Sequence, residues 1–282
     1  MSPGADPDRS LHKPVEPHRT GRSVLLVVSG VVLLASLLPP VGTWALHYEF
    51  VEALQFSLLA VAVPALVVAG SPWGLIGLAV RPPVVLDADG NLVPGVGTLK
   101  PMDRLAMGRR RHPEALRSGW FAFLFLAGAV VWRIPPTGNA LARHPWLVVV
   151  EAVTLVGLGI GLWLELVASP PLTPRLSRPH RVALAAIIMW VIWILAYLVG
   201  LSHASWYHAY PHHPGTGFSL SADQQLTTGV MWFVSGCAFV PVVYWNLIRW
   251  LQAEEDPDEE MHRLVRQERI RGRSVDGGSP VQ

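Results

Sequence analysis

The chain has 282 residues, of which 51% are hydrophobic and 15% charged, with a mean hydropathy of +0.37 and a net charge of +2. A soluble domain carries nearer a quarter charged residues, so an ordinary soluble globular protein is excluded. The single Cys237 excludes an intrachain disulfide and any paired-thiolate metal site.

The first 23 residues are polar and Pro-rich and read as a disordered cytoplasmic tail. No small-residue cleavage site follows the first apolar block, so that block reads as an uncleaved helix rather than a signal peptide. Six apolar blocks occupy the region 24–251: Val24–Leu46, Phe50–Gly70, Trp120–Arg133, Trp146–Ala168, Val182–Leu201 and Leu226–Leu247. Crossing the hydrocarbon layer takes about 20 helical residues. Five blocks meet that length, and the third has to borrow from its flanks. The connection Trp44–Phe50 carries His47 and Glu49; the second block opens with Glu52 and Gln55 and stays apolar past Pro64. Ser71–Val80 is still apolar, which suits an interfacial turn or an extension. A seventh crossing there is the alternative, and it would break the charge pattern.

The largest connection, Arg81–Ser118, contains VVLDADGNLVPGV, whose alternation around Asp89-Gly90 is a hairpin signal. Asp87, Asp89 and Asn91 resemble a calcium loop, but the loop Gly comes too early and no closing Glu follows. Beyond the sixth block, residues 252–282 read as a cytoplasmic helix and tail. Asp256 as N-cap, Pro257 at the first helical position and Glu259 at the third start a helix that runs to about Arg271. Glu259 and Arg263 pair along it at helical spacing.

Lys and Arg fall almost wholly on alternate connections. The N-terminal tail, Arg81–Ser118, Arg175–Arg181 and the C-terminal segment hold 20 of the 22 basic residues, and Arg133 and Arg143 are the two exceptions. The positive-inside rule then puts both termini in the cytoplasm. The same rule accounts for the Arg-rich loop, so nucleic acid is not an expected partner. The excess of Arg over Lys suggests a GC-rich bacterial genome, hence a bacterial plasma membrane. The expected fold is an all-α bundle of six transmembrane helices.

The outer side carries His47, His144, His203, His208, His212 and His213. The last connection, SHASWYHAYPHHPGTGFSLSADQQ, contributes four of these with Tyr207 and Tyr210, and it lacks Lys and Arg. Neutral imidazole is a common copper or zinc ligand, and a loop without positive charge does not repel a cation. The spacing matches no closed metal motif, and a His- and aromatic-rich interfacial belt explains the loop equally well. Within the spans, Glu52, Gln55 and Glu151 lie at similar depth, and Glu165 sits near the inner end of the fourth. Charges in hydrocarbon are costly and face the bundle interior or a wet cavity. With Asp223, Gln224 and Gln225 at the start of the sixth block, these residues are candidates for one polar pocket opening outward. The competing reading for Gln224, Gln225 and Thr228 is helix-to-helix hydrogen bonding.

The run SADQQLTTGVMW, Ser221–Trp232, resembles the signature that opens the last span of the CtaG-type cytochrome c oxidase assembly factors. There an acidic-Gln-Gln stretch is followed by Gly and Met-Trp, matched here by Asp223, Gln224, Gln225, Gly229, Met231 and Trp232. His47 followed by Gln55 before a Leu-rich span with Pro64 is similar to the family's His-bearing second helix. The likeness covers Trp44–Trp250. It implies a non-enzymatic membrane factor that supports maturation of a haem–copper oxidase, with oxidase subunits and a copper donor protein as partners and copper as the metal. The family leads one to expect further His within the spans, and this chain has none there. Copper would then use His47, His203, His208, His212 and His213 with the soft thioether of Met231. Two other classes stay open: a cation- or proton-coupled transporter working through Glu52 and Glu151, and a structural subunit docking a partner through its outer loop. No GxSxG, HExxH or phosphate-cradling motif supports a hydrolase.

Overall fold

The computed structural model describes residues 18–74, 84–86, 92–94, 115–170, 172–202, 206–210 and 219–254. Among them are eight helices and one two-stranded hairpin. The helices are α1 (His18–Leu37), α2 (Val41–Trp44), α3 (Glu49–Gly70, with a π-helical turn at Leu58–Ala62) and α4 (Ala115–Arg133). They continue with α5 (Pro135–Arg143), α6 (Leu147–Leu166), α7 (Arg178–Gly200) and α8 (Leu220–Glu254).

Five stretches are long and apolar enough to cross a membrane: Gly21–Trp44, α3, α6, α7 and most of α8. A sixth results if α4 and α5, bent by 62° at their junction, are one crossing. The chain is therefore a multi-pass membrane protein. The third span does borrow its flank, since α4 begins at Ala115 rather than Trp120. The last helix runs past Leu247 to Glu254. The expected tail helix at 256–271 and the segment 75–80 lie outside the described residues, as do Asp87, Asp89 and Asn91.

Prolines set the helix irregularities. Pro39 and Pro40 offer no N–H and close α1. Pro64 leaves the carbonyl of Ala60 without its usual donor, and the π turn lies just ahead of it. Pro135 and Pro136 likewise withdraw donors from Val131 and Trp132, so the ladder stops and the chain bends. Thr137 Oγ1 repairs part of that loss by donating to the carbonyls of Val131 and Ile134. The hairpin pairs β1 (Val84–Leu86) antiparallel with β2 (Leu92–Pro94), with Val85 opposite Val93. That register centres on position 89, as the alternation predicts.

Helix α3 is the hub. Of its apolar window 61% is buried, against 11% for α1. Its first half packs on α8, its second half on α1 and α6, while α4 lies on α6 and α7 on α8. The core runs through Phe56, Leu59, Phe125, Leu155, Ile188 and Met231, with Trp163 stacked on Phe239 at 5.1 Å between centroids. Close approach of α3 to α6 depends on Gly159. A Cβ there would sit 2.8 Å from the carbonyl oxygen of Ala60 and 2.5 Å from Cγ of Pro64. Small residues at such crossings let backbones meet in a membrane. Outward, Val27, Phe123, Val153, Ile187 and Phe233 are exposed apolar side chains, as a lipid-facing surface requires.

Candidate functional site

A group of buried polar side chains gathers where α3, α4, α6 and the start of α8 meet. Arg133 ends α4 immediately before the Pro135–Pro136 break, and its guanidinium turns into the bundle to pair with Glu52 of α3. The two side chains are 1% and 4% exposed. The guanidinium also lies 5.3 Å from the ring centre of Phe56 and 5.4 Å from that of Tyr207. Cation–π contact strengthens when desolvated, so both rings replace part of the lost water. The Tyr207 hydroxyl donates to the Arg133 carbonyl at 2.7 Å, the atom that a regular helix would have covered. Gly138 makes room for that ring, whose edge occupies the space where a side chain would stand. Burial pushes the Tyr207 phenol up to about 12, only partly offset by the cation of Arg133. Tyr210, packed edge-on at 6.2 Å, is raised for the same first reason.

Glu151 of α6 is 0% exposed and feels the charges of both Glu52 and Arg133. Among the described residues neither of its carboxyl oxygens has a hydrogen-bond partner, and one oxygen each of Glu49 and Glu52 is in the same state. Three buried carboxyls thus share the field of one guanidinium. Such clusters are expensive unless charge is balanced, and they mark functional positions in membrane proteins by default.

The signature residues do something different. Asp223 accepts the backbone N–H groups of Glu49 at 3.0 Å and Phe50 at 2.8 Å, so a carboxylate of α8 caps the N-terminus of α3. Tyr48, the local cap residue, does not cap the helix with its side chain. Gln224 donates to the carbonyls of Val199 and Ser202, and Thr228 to that of Ala196 at 3.0 Å, which satisfies the open end of α7. Trp232 stacks on Trp193 at 4.3 Å and meets Tyr197 edge-on. The ends of two helices are therefore fastened by one turn of a third.

Of the residues singled out from sequence, Glu52 and Glu151 come together around Arg133. Gln55 is buried and donates to the carbonyl of Ser36 at 2.6 Å, linking α3 to α1. Asp223 and Gln224 are buried in the capping role, while Gln225 is exposed. Glu52, Gln55, Glu151, Asp223 and Gln224 are thus all buried. His47 is exposed with Nδ1 2.8 Å from the Thr43 carbonyl, and His208 is exposed. Met231 is fully enclosed in the apolar core. His203, His212 and His213 lie outside the described residues. Among the described residues, no three His, Cys, Asp or Glu side chains stand close enough to hold one metal ion. Arg133, Glu49 and Tyr207 are noted in the sequence but not counted among the candidate site residues. The available signal was a lone Arg on the side where basic residues are rare, placed against Pro-Pro.

The family model for the cytochrome c oxidase caa3 assembly factor (Caa3_CtaG) matches residues 9–253. The chain belongs to this assembly-factor family. No curated protein and no solved structure matches it. The match extends through all the apolar blocks and takes in both the buried cluster and the capping turn, so for this assembly factor they are parts of one unit.

Proposed function

We propose that this chain is a non-catalytic assembly factor in a bacterial plasma membrane, with both termini cytoplasmic, which helps copper reach a caa3-type haem–copper oxidase. The observation that carries the reading is the family match over residues 9–253. Copper is cargo here rather than a resident cofactor. A carrier must release its metal, and exposed imidazoles such as His47 and His208 suit brief binding better than a closed ligand cage. Met231 packs in the core, so the soft thioether contributes to helix packing and the transfer surface rests on the outer histidines. Oxidase subunits and a copper donor protein are the partners on this account.

Deleting the gene tests the proposal. Assembled caa3-type oxidase and its copper content should fall together, and added copper should restore part of both. Undiminished oxidase with full copper overturns it. A second reading, a proton or cation path, is favoured by Glu151 alone, whose carboxyl oxygens lack hydrogen-bond partners among the described residues. That reading predicts an altered ion gradient on deletion with oxidase intact.

A further inference from the structure

At the opposite end of the bundle from the buried cluster, α6, α7 and α8 enclose a half-open cavity of about 330 Å³. Its walls are Leu166 and Val167 from the end of α6, Arg181 from α7, and Val242, Trp245 and Asn246 from α8. The cavity begins where Pro241 interrupts α8. Proline cannot donate to the carbonyl of Cys237, and its ring crowds the preceding turn, so the helix surface is notched there. One side of the notch is apolar and continues into the exposed Val240, Tyr244 and Trp245. The other side is cationic.

The charges around it are unbalanced. Arg175 is 3.6 Å from Glu165, which also accepts from Ser118 and acts on Arg181 as well. Arg181 is anchored by Nε to the Leu176 carbonyl at 2.7 Å, and Arg178 by Nη1 to the Arg249 carbonyl at 2.9 Å. Arg249 lies 4.7 Å over the Trp245 ring. Arg181 lines the cavity, with Arg178 beside it and Arg249 over the lining Trp245; among the described residues Glu165 is the carboxylate that acts on Arg181, and it already pairs with Arg175, so positive charge is in excess. Guanidinium is the preferred partner of a phosphate diester, because its fork matches two oxygens at once. Basic sites between helices at the membrane boundary bind anionic head groups, and Trp and Tyr mark the same level.

We propose that this notch binds one anionic phospholipid, its phosphate on Arg181 with Asn246 beside it and an acyl chain along Val242 and Trp245. The site is separate from the outer histidines and from the capping turn. It gives the membrane itself a fixed place in the bundle, between α6 and the two helices that the signature fastens together.

The test is lipid retention by the purified full-length protein, measured by native mass spectrometry after exchange into phosphatidylglycerol or phosphatidylcholine. Phosphatidylglycerol should be retained about tenfold better, because the choline ammonium of the other lipid offsets its phosphate's charge and would face a site already rich in guanidinium. R181Q should abolish that preference, whereas R143Q, an exposed site at the other end, should keep it. W245A should weaken retention of both lipids without removing the preference, and it serves as the readout if R181Q fails to fold. Equal retention of the two lipids overturns the proposal. So does displacement of bound phosphatidylglycerol by millimolar inorganic phosphate, which would show a free-anion site instead.

Discussion

Asp223 and Glu49, 174 residues apart, are joined by a carboxylate-to-amide hydrogen bond of 3.0 Å that fixes the start of α3 from the first turn of α8. A capping side chain removed to Ala costs about 1 kcal/mol, and up to ~2 where the bond is charge-assisted and buried. Asp223→Ala should therefore lower the melting temperature and speed amide exchange at Glu49 and Phe50. Asp223→Asn, which keeps an acceptor, should lose less. Unchanged exchange at both amides would show that the cap is not energetic.

The Glu52–Arg133 pair spans α3 and α4 inside the bundle. Removing one partner of a buried pair costs about 3–5 kcal/mol, because the other charge is left bare. Glu52→Gln and Arg133→Met should each destabilise strongly, and the double variant should recover much of the loss. A thermal double-mutant cycle reads this directly. Simple additivity would mean that the two groups do not act as a unit.

Gly159 faces the backbone of α3, while Gly157, two residues earlier, has open space where a side chain would go. Gly159→Val should destabilise by at least about 1–3 kcal/mol through overpacking, visible as a lowered melting temperature and poor recovery in detergent. Gly157→Val should be tolerated. Equal behaviour of the two would contradict the close α3–α6 crossing.

Phenol titration followed by ultraviolet absorbance should show Tyr207 ionising only near pH 12, against an ordinary value of 10. Because the folded value is the higher one, the buried neutral phenol contributes its full stability below pH 10. That contribution is lost as pH rises through about 12. Tyr207→Phe should remove one late-ionising group from the curve, and all five tyrosines titrating together near pH 10 would refute its burial.

Topology is testable after Cys237, the sole native thiol, is replaced by Ser. A cysteine at Gly215 should react with an impermeant reagent from outside, and one at Gly95 or Ser274 only after permeabilisation. Reaction of Gly95→Cys in intact cells would invert the assigned orientation.

The spans were legible because length and apolarity are local properties of the chain. So was the hairpin, whose alternation flanks Asp89-Gly90, and so was the borrowed flank of the third span, since a crossing shorter than the bilayer cannot exist. The roles of Asp223 and Gln224 were not legible in the same way. Helix capping is usually read from the residue just before the helix, and here the Tyr48 side chain does not cap while a carboxylate arrives from the other end of the chain. The partner of Glu52 was hidden for a related reason. Arg133 sits at the end of an apolar block, where a basic residue ordinarily marks the water boundary, and only the bend at Pro135 shows that it turns inward.

The order of the chain adds a constraint on biogenesis. Glu52 enters the membrane with the second helix, and its counter-ion is 81 residues further on, at the end of the third. A helix carrying a lone carboxylate is a poor guest in lipid. The second and third crossings therefore have to leave the insertion machinery as a couple. The length of the connection between them sets how long that machinery must hold the first of the two.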